Sequence, residues 1–183
     1  MRHFKYLIFL FLFLFLLPSL PADAQVVYRR GVKVIHVSNK DKRKIRRKKR
    51  RVRRRTLRRL PANTGAVVFR KVAYYPIRGM YFIPRNGLYE RAFPPRGFRV
   101  RVVPGMFTRL MVRGIAYAYA EGTFYKQIND EYEVVDPPIG AIIKELPQDA
   151  EEIDFDGIPT YELNNALYRS MEDGYEVINI LED

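Results

Sequence analysis

Pro61, Pro104 and Pro147 stand 43 residues apart. So do Val72, Ile115 and Ile158, then Phe82, Tyr125 and Tyr168, then Tyr89, Tyr132 and Tyr175. The last three are each followed by a glutamate, Glu90, Glu133 and Glu176. Gly79 matches Gly122, Asn86 matches Asn129, Pro94-Pro95 matches Pro137-Pro138, Gly97 matches Gly140 and Gly114 matches Gly157, all without a gap. A fixed period of this length marks tandem units, each too small to bury its apolar face alone. The chain therefore contains three copies, 61–103, 104–146 and a shorter 147–183.

Within a copy the pattern is that of hairpins. In the second, "RLMV", "IAYAYA", "TFYKQ" and "YEVV" are separated by Arg113-Gly114, Glu121-Gly122 and Asn129-Asp130, and a Pro-Pro-x-Gly stop precedes "AIIKE". Alternation, β-branched and aromatic residues and two-residue turns predict short antiparallel strands. The third copy carries Asp156-Gly157, Asn164-Asn165 and Asp173-Gly174 at the corresponding turns, and the first carries Asn86-Gly87. Arg70-Lys71 is a poor turn pair, so the strand from Val67 to Tyr75 is expected to run on unbroken. Proline pairs donate no ladder hydrogen bonds and mark boundaries between units. The fold expected is all-β: three tandem units of short antiparallel strands, as SH3-like barrels or curled sheets, preceded by a disordered basic arm. Copies share strands or pack side by side, with "GFRVRVV" and "GAIIKE" as the bridging segments.

"RGIAYAYAEGTFY" followed by "YEVVDPPIGAIIKELP" resembles an uncharacterised secreted β-repeat family of Bacteroidota, domain of unknown function six-five-one-five. The resemblance covers roughly residues 60–183, and the third copy departs from it with "IPTYELNNALY" and no closing Pro-Pro. It implies an exported β-protein and no particular activity.

The N-terminal end carries a different signal. Arg2 and Lys5 precede an uncharged apolar run, Tyr6 to Leu17, and "PSLPADA" ends in an A-x-A site. That order is a secretory signal peptide, 1–24, with cleavage between Ala24 and Gln25. The run is short of the roughly 20 residues that span a bilayer. With no cysteine, lipidation after cleavage, disulfides and cysteine metal sites are excluded.

The formal charge of +13 is unevenly spread: +1 over residues 1–24, +17 over 25–60, +8 over 61–125 and −13 over 126–183. Residues 25–60 are a polybasic lead-in, expected to be largely disordered, since like charges at i,i+4 oppose helix formation. Its candidate polyanion-binding residues are Lys42, Arg43, Lys44, Arg46, Arg47, Lys48, Lys49, Arg50, Arg51, Arg53, Arg54, Arg55, Arg58 and Arg59. Behind an export signal, the partners implied are lipid headgroups, lipopolysaccharide or another acidic polymer, and the acidic third copy as an internal one.

Catalytic constellations are thin. His3 and His36 are the two histidines, and neither has a cysteine or second histidine with ligand spacing. A triad would need His36 with Ser38 or Ser170, and no G-x-S-x-G occurs. Glu152, Asp154 and Asp156 share one strand face by the period of two. They lack an EF-hand register, and a solvated outer face with Ile153 and Phe155 inward is the simpler reading. Phosphate loops of either glycine-rich type are absent. The aromatics Tyr74/Tyr75, Tyr81/Phe82, Tyr117/Tyr119 and Phe124/Tyr125 could stack on sugars or bases, but cross-strand packing fits a thin sheet better. The expectation is a non-enzymatic protein without cofactor or metal, exported to the periplasm, outer-membrane surface or exterior, and associated with the envelope. Alternatives are a structural or assembly repeat protein and a binder of extracellular nucleic acid.

Overall fold

The computed structural model describes residues 55–155 and 158–181. Among them are fifteen strands and no helix, grouped as three five-stranded antiparallel sheets. The first contains β1 (Thr56–Leu57), β2 (Val67–Phe69), β3 (Val72–Ile77), β4 (Met80–Arg85) and β5 (Leu88–Ala92), in the order β1-β5-β4-β3-β2. The second contains β6 (Arg99–Val100), β7 (Thr108–Val112), β8 (Ile115–Ala120), β9 (Thr123–Ile128) and β10 (Glu131–Val135), ordered β6-β10-β9-β8-β7. The third contains β11 (Ile142–Ile143), β12 (Glu151–Phe155), β13 (Ile158–Leu163), β14 (Ala166–Met171) and β15 (Gly174–Ile180), ordered β11-β15-β14-β13-β12. The three are one topology repeated at the sequence period.

Each sheet is a four-strand meander closed at one edge by a two-residue strand that precedes it. The edge strand docks through the same backbone pair each time. Arg91 N–H donates to Arg55 O at 2.8 Å, Val134 N–H to Phe98 O at 2.8 Å, and Val177 N–H to Ala141 O at 2.9 Å. The bridging segments thus belong to the sheet that follows them: "GFRVRVV" supplies β6 and "GAIIKE" supplies β11. Likewise β1 falls inside the basic 25–60 segment, so its last residues are part of the folded body.

The turns follow backbone chemistry. Arg78-Gly79, Glu121-Gly122 and Asn164-Asn165 have positive φ at both positions, the geometry of a type I′ hairpin turn whose twist matches the strands. Arg70 and Lys71 also adopt it, with φ of 47° and 68°. The expected unbroken strand from Val67 to Tyr75 is therefore two strands, β2 and β3, paired as Phe69↔Val72. Two left-handed non-glycine residues cost on the order of 1–2 kcal/mol each, and the pairing of β2 outweighs it.

Adjacent residues of the central strands are buried on both faces. Tyr81 and Phe82, Phe124 and Tyr125, and Leu167 and Tyr168 are all almost fully enclosed. Successive side chains point to opposite faces, so each sheet is covered on both sides at its middle. Tyr74 and Tyr81 of the first sheet pack with Phe98, Ala118, Ala120, Tyr125 and Val134 of the second. Val112, Tyr119 and Phe124 of the second pack with Leu163, Ala166, Tyr168 and Val177 of the third. One face of each copy therefore meets the opposite face of the next. The hydroxyl of Tyr125 donates to that of Tyr81 across the first contact, at 3.2 Å.

Candidate functional site

The three copies converge around the Glu121-Gly122 turn, and the polar centre there is Arg91. The period places Arg91 level with Val134 and Val177, both core residues. A guanidinium thus occupies a valine position, and it is 5% exposed. Its Nη1 donates to Asp149 Oδ1 in the connection before β12, and its Nη2 donates to the Glu121 carbonyl oxygen at 2.6 Å. The Glu121 carboxylate stands 4.0 Å away, and the guanidinium lies 4.9 Å from the centre of the Phe93 ring. Burial lowers its pKa, while Asp149 and Glu121 oppose that shift. One side chain therefore ties the first copy to the second and the third.

Beside it opens a cleft of about 320 Å³. Arg55 of the lead-in and Arg91 and Phe93 of the first copy line it together with Asp149, Glu151, Glu162 and Asn164 of the third. Glu151 and Glu162 are cross-strand neighbours on β12 and β13, and both are buried. Glu162 accepts a hydrogen bond from Asn165 N–H at 3.1 Å. Its charge, with burial and Tyr119, holds the Tyr168 hydroxyl well above the ordinary tyrosine range; burial is the largest cause. Asn164 Nδ2 donates to the Gly122 carbonyl at 3.1 Å, closing the junction.

Of the sequence-derived residues, Lys42 to Arg54 lie outside the described residues, as do Ala24, Gln25, His36, Ser38 and Asp156. Arg55, Arg58 and Arg59 are described and exposed. Arg55 stands at the rim of the cleft, with Nη1 3.5 Å from Met80 Sδ. Arg58 and Arg59 flank β1 and do not line the cleft. Glu152 is exposed and Ile153 buried, as expected for an outer carboxylate and an inner aliphatic. The alternation also buries Glu151, which the sequence reading passed over. Among the described residues no group of three or more His, Cys, Asp or Glu side chains is placed to hold a metal ion.

The aromatics pack together. Tyr74, Tyr81, Phe82, Tyr119, Phe124 and Tyr125 are core residues. Tyr75 meets Tyr89 edge-on at 5.5 Å, and Tyr161 meets Tyr175 at 5.3 Å, one period pair later. In the middle copy Ala118 replaces that first ring, and Phe107 packs on Tyr132 at 6.2 Å instead.

Arg91 had a signal available. Superposing the copies sets a charge against two buried valines, and a misfit of that kind marks a position where the repeat is broken for a specific contact. Asp149 gave none, because it lies in a connection whose path only the fold defines.

No curated protein and no solved structure matches the chain. A family model, described as a family of unknown function, DUF6515, matches residues 42–181. That span takes in all three sheets and the end of the basic arm, and the chain belongs to this family.

Proposed function

We propose that the protein is exported and serves as a non-enzymatic, envelope- or surface-associated binding protein. In this reading the basic segment engages anionic envelope components and the β-repeats hold it in place. The observation that carries it is the +17 segment directly behind a signal-type N-terminus. Near an anionic surface each Lys or Arg contributes about 1 kcal/mol within a Debye length, so partial engagement of the arm suffices for retention. The acidic residues of the cleft support an internal partner as well. Arg55, where the arm joins the fold, shares the cleft with Asp149, Glu151 and Glu162. The arm then exchanges between the third copy and an external polyanion.

The test is capture of the chain on lipopolysaccharide, peptidoglycan and DNA at low and high salt, with and without residues 25–54. Stopping the deletion at residue 54 keeps β1. Salt-sensitive, arm-dependent capture on lipopolysaccharide is expected. Capture on DNA alone favours the nucleic-acid reading, and arm-independent capture overturns the role of the arm. N-terminal sequencing of the cell-fraction product that starts at Gln25 is expected from the export reading; an intact N-terminus argues against it.

A further inference from the structure

In an antiparallel meander successive turns alternate between the two ends of a sheet. The stacked turns Arg78-Gly79 and Glu121-Gly122 occupy one end, so the Arg70-Lys71 and Arg113-Gly114 turns lie at the other. These two tips are repeat equivalents and carry exposed apolar side chains at matching positions. Val68 is 69% exposed and Met111, its equivalent, 66%. Val72 and its equivalent Ile115 are also exposed. Arg70, Lys71 and Arg113 cap them, all exposed. Cross-strand pairing sets Val68 beside Ala73 and Val72 beside Phe69, on opposite faces of the hairpin. Met111 pairs Ala116 and Ile115 pairs Val112 in the same way.

We propose that the β2–β3 and β7–β8 tips are an anchor for an anionic lipid surface, a proposal that rests on the envelope-facing reading. Phe69 and Val112, the partners of Val72 and Ile115, pack into the core, so Val68 and Met111 stand on the outer face of each hairpin with Val72 and Ile115 at its rim, within reach of an acyl boundary. Cations at the same depth complement anionic headgroups while the apolar groups enter the acyl boundary. The third copy gives the internal comparison: Asp154 stands at the Val68/Met111 position and Asp156 at the Arg70/Arg113 position. Two of the three copies therefore carry basic and apolar residues at these positions, and the third carries acids.

The chain contains no tryptophan, so Met111→Trp introduces a single emitter at a tip. Met106→Trp is its control, at the other end, where Met106 is 95% exposed and adjoins Gly105, whose added Cβ would contact the Arg78-Gly79 turn. Full-length protein is titrated with vesicles of phosphatidylglycerol and phosphatidylcholine in high salt, which screens the arm. A blue shift for Met111→Trp and none for Met106→Trp is expected. Val68→Asp with Met111→Asp, the residue the third copy uses there, lowers high-salt binding by roughly tenfold or more. Equal shifts at both positions, or none at 111, overturn the proposal. A concentration-dependent shift without vesicles assigns the tips to a second copy of the chain and also overturns it. Loss of low-salt binding on removing residues 25–54 reports on the arm alone, so the two readings fail separately.

Discussion

Arg91 shows how one residue can break a repeat to serve the whole. Its repeat equivalents are valines, and the guanidinium is held by Asp149, the Glu121 carbonyl and the Phe93 ring. Asp149→Ala strands a buried charge and is expected to cost about 3–5 kcal/mol, read by urea unfolding. Adding Arg91→Val to it restores the pattern of the other copies and returns stability to within about 1 kcal/mol of the parent. The tyrosines set the pH response. Burial pushes the Tyr81 hydroxyl up to about 12 and raises Tyr119, Tyr125 and Tyr168 further. The unfolded chain loses these protons first, so the native state retains more of them as the pH rises. Stability is full below pH 10 and falls above it, through about 12 for the Tyr81 contribution and beyond that for the other three. Phenolate absorbance that lags behind exposed tyrosine and then rises together with loss of the β-sheet dichroism is the expected record.

Most elements could be read from the sequence because turn chemistry and period agree. Gly114, Gly122 and Asn86-Gly87 each stand where a positive φ is needed, and the strands between them follow. Arg70-Lys71 could not be read so, because its turn is imposed by the pairing of β2 with β3 rather than by the two residues. The two glycines separate backbone strain from packing. A Cβ at Gly114 meets nothing within 4 Å, whereas one at Gly122 lies 2.7 Å from Leu163 and 3.0 Å from Phe93. Gly114→Ala is expected to cost about 1–2 kcal/mol, the left-handed penalty alone. Gly122→Ala is expected to cost more, because it also pushes the first and third copies apart. Equal midpoint shifts in denaturant would show that the junction is not tightly packed. The edge strand gives a further comparison. Deleting residues 1–54 keeps β1, while deleting 1–60 also removes β1 and the Arg91–Arg55 backbone bond and should lower the melting temperature by several degrees more.

Over the whole molecule, the sequence showed three copies and left open whether they share strands or pack side by side; that the first and third also meet it did not show. Phe93 packs with the cluster that holds Leu163 and Tyr168, and Arg91 reaches Asp149. These contacts are separated by more than a full period, and only the fold makes them. Unfolding is therefore expected as one cooperative transition rather than copy by copy. Differential calorimetry giving equal van't Hoff and calorimetric enthalpies is the check.

The borrowed edge strands bear on how such a chain can grow. A segment cut at the prolines, 104–146, carries β11 and leaves β6 behind. It would enter a neighbouring gene with an edge meant for the next sheet and without its own. A segment cut at the docking residues, 98–140, brings β6 through β10 as a complete sheet. Gain or loss of a copy is then expected to be tolerated when cut at Arg55, Phe98 or Ala141, since the folding unit and the visible proline-to-proline unit are offset by six residues.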